Sequence, residues 1–174
     1  MKLGKYIESE SGISIDGKHR LYLKRRWFVN TQDGKDCLLW VMLNPSIASG
    51  TEDDMTVRKC IEFSKRLGFG AMLVVNLYTY ITTKPDNLFN LLPYKRNDDK
   101  ANDIAKLCIS ECEYGIIATG NIQNDHVVSA LTRLKIITSF ADKDFWYTLG
   151  FTKSRWPRHP SRISYDIQIE RYHE

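Results

Sequence analysis

The stretch LLWVMLNPSIASGTEDDMT, Leu38 to Thr56, decides how the rest of the chain reads. Extended back to Cys37, its apolar half is continuous and lacks polar alternation, the pattern of a strand covered on both faces. The run breaks at Asn44-Pro45, and proline biases the asparagine before it toward extended backbone. A polar loop with Gly50 follows, and then the acidic pair Asp53-Asp54, either of which can cap a helix. Val57, Ile61, Ser64 and Leu67 recur at helical spacing, and Gly68 is a terminator. Strand, loop and helix in this order are the opening unit of an α/β fold.

Working outward, HRLYLKRRWFV (His19 to Val29) partly alternates and predicts an early half-buried strand, with a turn at Asp33-Gly34 before the central run. AMLVVNLYTY, from Ala71, predicts a second buried strand, interrupted by Asn76. After a loop at Lys84-Pro85, the pattern predicts a helix from about Asn97 to Cys112, a short strand in YGIIATG, a helix in NDHVVSALTRL and a last strand in FWYTLGF. The proline-flanked RWPRHPSR, Arg155 to Arg162, cannot be regular helix. Alternating strands and helices predict one domain over 1–174, a three-layer α/β/α sandwich with a mainly parallel central sheet.

The composition is that of an ordinary globular chain: 174 residues, 43% hydrophobic and 26% charged. No apolar run approaches the roughly 20 residues that span a bilayer, and MKLGKYIESESG lacks the apolar core of a signal peptide. A cytoplasmic protein without a membrane partner is the expectation. Cys37, Cys60, Cys108 and Cys112 form no disulfide framework. Cys108 and Cys112 can share a helix face, but no second pair stands at ligand spacing, so buried free thiols are expected and no metal or other cofactor. A net charge of +4 is mild, yet basic groups concentrate in Lys18–Arg26 and Lys153–Arg162, beside Tyr22, Trp27 and Trp156. Such segments are either solvated surface or a place for phosphates and bases.

In α/β sheets, ligands bind beyond the carboxyl ends of the strands. Asn44, Asn76, Gly120-Asn121 and the His159 segment all fall there on this reading. An amide at Asn44 either satisfies turn backbone or positions a water, and is no strong base. Asn76 either bonds a neighbouring loop or reads a nucleobase edge. His159 can stabilise developing negative charge, and Arg158, Ser161 and backbone N–H groups suit phosphate. Asp53-Asp54 can cap a helix, ligate magnesium or act as a general base. Ser46 has no adjacent base to make it a nucleophile, and the glycines form no phosphate-binding fingerprint.

RLYLKRRW, MLNPSIA, DDMTVRKCIEFSKRLGFG, VVNLYTYITTKPDNL and PRHPSRIS resemble the blocks of a bacterial and phage family, the "domain of unknown function 1643" proteins. Their order is also similar to that of the uracil-DNA glycosylase superfamily. That resemblance implies that Asn44 in MLNPS positions a hydrolytic water, with Ser46 beside it, and that Asn76 in VVNLYT reads the base. In RHPSR it implies that His159 stabilises the departing base while Ser161 contacts the backbone, and it offers Phe63 for base stacking. Met42 and Ser46 stand where that superfamily's first motif has glycines, and Arg162 where its last motif has proline. Trp156 is the one candidate for a base-flipping wedge. The function expected is therefore a nucleobase or nucleotide pocket of uracil-DNA glycosylase-like fold that hydrolyses an N-glycosidic bond in single-stranded nucleic acid or a nucleotide, with Asn44 and His159 catalytic and Arg158 and Arg162 holding phosphate. The rivals are a protein that captures a nucleotide without turnover, and a protein–protein module on the same fold.

Overall fold

The structure, a computed structural model, describes residues 6–28, 36–46 and 52–173. The Asp33-Gly34 turn and the Gly50 loop lie outside the described residues. In chain order the elements are β1 (Glu8–Ile13), β2 (Arg20–Arg26), β3 (Cys37–Met42), α1 (Met55–Arg66), β4 (Ala71–Asn76), α2 (Pro85–Phe89), α3 (Ala101–Ser110), β5 (Tyr114–Ile117), α4 (Val127–Thr138), β6 (Trp146–Thr148) and β7 (Glu170–Arg171). Short 3₁₀ turns join several of them, including Pro160–Arg162 within the irregular basic segment.

The strands form one sheet in the order β1-β2-β4-β3-β5-β6-β7. Only its centre, β4-β3-β5-β6, is parallel, while β1–β2, β2–β4 and β6–β7 pair antiparallel. The expectation of a mainly parallel sheet is thus corrected to a mixed one. Its flanks escape hydrophobic patterning because β1 (ESESGI) and β7 (ER) are largely exposed edge strands with no apolar face to read. The short link from β1 to β2, with Gly17 at φ +71°, leaves room only for an antiparallel return.

β3 and β4 are buried at every position, as a continuous apolar run requires when both faces are covered. Leu39, Val41, Leu73 and Val75 face Ala105 and Ile109 of α3 and Ala130 and Leu134 of α4. Leu38, Trp40, Met72 and Val74 face Val57, Cys60, Ile61 and Phe63 of α1, together with Ile163. Helices therefore cover both faces, giving three layers. Asp54 caps α1, its Oδ1 accepting from the Val57 N–H at 2.8 Å. Gly68 ends it at φ +90°, a conformation that favours glycine. Asp53 instead meets the buried guanidinium of Arg25 at 2.9 Å.

Cys112 lies just beyond α3 with its Sγ 3.2 Å from that of Cys37, so it leaves the helix face it was expected to share with Cys108. All four cysteines are free. Among the described residues no cluster of three or more His, Cys, Asp or Glu is placed to hold a metal, and no helix is long and apolar enough to cross a membrane.

Candidate functional site

The parallel centre of the sheet has a point where its connections part. From β3 the chain passes through α1 on one face to β4. From β5 it passes through α4 on the other face to β6. Between β3 and β5 the outgoing loops diverge, which opens a crevice beyond the strand ends. Backbone bonds prolong the ladders into this rim: Leu77 N–H to Met42 O at 2.8 Å, Tyr78 N–H to Leu43 O at 3.0 Å and Ala118 N–H to Val41 O at 2.8 Å.

Asn44 stands at the rim after β3, half-buried. Its amide donates to Thr82 O at 2.8 Å, which ties the β3 loop to the loop after β4, and to Pro45 O at 3.1 Å, within the β3 loop itself. Only Oδ1 is left to meet a water. Ser46 donates its hydroxyl to Asp54 Oδ2. Asp54 thus caps α1 and holds the Asn44 loop with the same carboxylate.

Asn76 closes β4 and is 4% exposed. By strand alternation it shares the face of Met72 and Val74, toward α1, and it pairs in register with Met42. Its Nδ2 is buried with no hydrogen-bond partner. An unpaired buried donor costs on the order of 1–3 kcal/mol, so an amide in this place needs a reason that packing does not supply.

His159 precedes the 3₁₀ turn Pro160–Arg162 and caps it: its Nδ1 accepts from the Ser161 N–H at 3.3 Å and lies 2.8 Å from the Ser161 hydroxyl. A nitrogen that accepts carries no proton, so the backbone assigns the ring hydrogen to Nε2, making it a neutral donor. Burial lowers the His159 pKa below its ordinary 6.5, with Asp54 opposing in part, and the ring is neutral at physiological pH. The segment reaches the crevice because Gly120, at φ +74°, lets the chain after β5 turn sharply beside it. A Cβ there would lie 3.2 Å from His159 Cβ, and the Gly120 N–H bonds Pro157 O at 2.9 Å. Lys59 of α1 anchors the other end through Ile163 O at 2.7 Å.

A cavity of about 540 Å³ opens at this point, lined by Gly120, Asn121, Arg158, His159, Ser161 and Arg162 among others, with no acidic side chain on its wall among the described residues. Arg158 and Arg162 are exposed. Asn44, Ser46 and Asn76 stand at the strand ends but do not line this cavity, and two further sequence candidates lie in the cores. Phe63 is 3% exposed, its ring 6.1 Å from that of Trp40 and 5.0 Å from that of Tyr165, well inside the core and two turns along α1 from the rim. Trp156 is buried in the opposite core, so it cannot enter a base stack from there. Arg20 is a residue that sequence reasoning misses. It is buried, and desolvation pulls its pKa down to about 10, with Asp54 acting the other way, so it stays charged at neutral pH. Its position in a basic, half-alternating strand carries no sign of that placement.

The sequence model of the family described as "Protein of unknown function (DUF1643)" matches residues 20–161. The chain belongs to this family. The match begins at Arg20 and ends at Ser161, so the DUF1643 region takes in Asn44, Asn76 and the capping His159, while Arg162 and Ile163 of the cavity wall follow it. No curated protein and no solved structure matches the chain.

Proposed function

We propose that the rim binds a nucleobase or nucleotide, on a fold related to that of the uracil-DNA glycosylases. The observation that carries the reading is the buried, unpartnered Nδ2 of Asn76 at the end of β4. A ligand with a hydrogen-bond acceptor on its edge satisfies it, as a base carbonyl or ring nitrogen does. The Nε2–H of His159 adds a second donor at the same rim of the sheet. Arg158, Arg162 and the Ser161 hydroxyl supply contacts for phosphate. An asparagine after the first core strand, another at the end of the second and His-Pro-Ser after the last stand in the order that the glycosylase resemblance requires.

In the hydrolytic form of this reading, water attacks the anomeric carbon and the electron pair of the N-glycosidic bond leaves with the base. His159 donates a hydrogen bond to the charge growing there, Asn44 Oδ1 holds the water, and Asp54 is the carboxylate beside the Asn44 loop that takes its proton. Capture without turnover is the second reading, and a specific observation favours it: both N–H bonds of Asn44 and both oxygens of Asp54 are already engaged within the protein.

Incubation with nucleotides and uracil-bearing single strands, followed by mass spectrometry, separates the two. A released base that disappears in His159→Ala identifies hydrolysis, and intact ligand recovered in stoichiometric amount identifies capture. In either case Asn76→Leu, of similar volume and with no donor to orphan, abolishes binding while thermal stability holds or rises by about 1 kcal/mol. Destabilisation by Asn76→Leu with binding retained would make Asn76 structural and remove the base-reading site.

A further inference from the structure

The cavity at His159 does not stand alone. Part of its wall, Thr152 and Arg158, flanks the turn around Lys153-Ser154, which is closed by the Phe151–Pro157 bridge and by Arg158 Nε bonding Phe151 O at 2.9 Å. Thr152, on one side of this turn, lines the His159 cavity. Phe151 and Arg155, on the other, line a cavity of about 970 Å³ over α4, with Lys135, Tyr172 and His173. That cavity runs on, through Lys135 and Tyr172, into a third that reaches Lys143. Arg155, Lys135 and Lys143 are spaced along the two cavities, and no carboxylate lines them among the described residues. The rings of Phe151 and Tyr172, both half-buried, lie 6.2 Å apart at 31°.

Arg155 carries an independent sign. Its φ of 61° is the only left-handed backbone outside glycine among the described residues. The Arg155 N–H to Thr152 O bond at 2.9 Å and the Thr152 N–H to Trp156 O bond at 2.8 Å hold it there. Glycine adopts this conformation without strain, and an arginine kept in it is strain retained at an exposed tip.

We propose that this groove binds a run of single-stranded nucleic acid continuous with the base held at the rim, so that the ligand of the site is a polymer and not a free nucleotide. The inference rests on the nucleobase reading of the rim. Cations along a groove track a phosphate backbone, and tilted aromatic rings offer platforms to successive bases without regard to sequence. A duplex fits less well, because the one wedge candidate, Trp156, is buried in the core.

The test is fluorescence anisotropy on the full chain with a uracil-bearing trinucleotide and a dodecanucleotide, using wild type, Arg155→Gly, Lys135→Gln and Asn76→Leu. In wild type the dodecanucleotide should bind roughly tenfold more tightly than the trinucleotide. Arg155→Gly and Lys135→Gln should abolish that gain without weakening the trinucleotide. Each should also flatten the log–log salt dependence by about 0.7 for every phosphate left without its cation. Arg155→Gly relaxes the turn, so misfolding cannot account for its effect. Equal affinity for the two lengths, with trinucleotide binding abolished by Asn76→Leu, would overturn the groove and leave the rim reading intact. Length-dependent binding that survives Asn76→Leu would overturn the rim reading, and with it the continuity proposed here. Tighter binding of oligoglutamate than of the dodecanucleotide would reassign the groove to an acidic peptide and overturn the proposal.

Discussion

At the scale of single residues, the chemistry of the rim depends on which hydrogen-bonding atoms the fold has already used. Asn44 and Asn76 both break apolar runs, and apart from the proline after Asn44 nothing in their sequence neighbourhoods says which amide the fold has already used. The structure does: the Asn44 amide is committed to two loop carbonyls, while the Asn76 amide is buried with its nitrogen unmatched. His159 differs again, because its role depends on protonation. Its pKa is lower folded than unfolded, so below the unfolded value of 6.5 the unfolded chain takes up a proton first and stability falls. Protonation also removes the Nδ1 lone pair that accepts from Ser161. Urea unfolding followed against pH should therefore show stability flat above about 6.5 and declining below it, and His159→Asn, whose Oδ1 can replace Nδ1 as the cap, should lessen that decline. An unchanged profile in the variant would place the titration elsewhere. The sequence marks His159 as a candidate, but the tautomer is not legible there, since it follows from a backbone N–H two residues away adopting a 3₁₀ turn.

At the scale of elements, α1 is the piece that joins stability to the site. Its apolar spacing is legible because Val57, Cys60 and Ile61 all pack on one sheet face. The acidic pair before it is ambiguous in sequence, and the structure divides the labour: Asp54 caps the helix and receives the Ser46 hydroxyl, whereas Asp53 turns inward to Arg25. Asp54→Ala should cost about 1–2 kcal/mol in chemical denaturation and should loosen the Asn44 loop, so ligand affinity falls as well. Asp54→Asn keeps an acceptor for the Val57 N–H and should recover most of the stability. If both variants were as stable as the wild type, the cap would contribute nothing and the loop would be held by other contacts. The short helix α2 escapes sequence reading for a related reason. Pro85 reads as a loop residue, yet at the first position of a helix its missing N–H costs nothing.

At the scale of the whole molecule, one buried ion pair ties the antiparallel flank to the parallel centre. Arg25, 0% exposed on β2, meets Asp53 before α1, and the Tyr6 hydroxyl donates to the same carboxylate. Removing one charge strands the other, so Asp53→Ala should destabilise by about 3–5 kcal/mol, and Arg25→Met paired with Asp53→Leu by much less. Equal losses in the two variants, measured by urea titration, would show that packing and not charge sets the cost. Such a tie is invisible in RLYLKRRW, where Arg20, Lys24, Arg25 and Arg26 look alike and only Arg20 and Arg25 are buried. What the sequence by itself determined are the elements whose signal is local: the doubly covered strands β3 and β4, the helix after Asp54, the stop at Gly68 and the irregular turn at His159. Burial on both faces strips polar residues from a strand, and a helix repeats its apolar face within a few positions, so both leave a mark in one short window. The tertiary structure alone decided the mixed sheet, the inward turn of Arg25 and Arg20, the withdrawal of Phe63 and Trp156 into the cores, and the unmatched amide of Asn76. Each of these depends on what lies across a ladder or against a face from residues tens of positions away, and the free energy of a hydrogen bond or a buried charge belongs to that pairing, not to either residue alone.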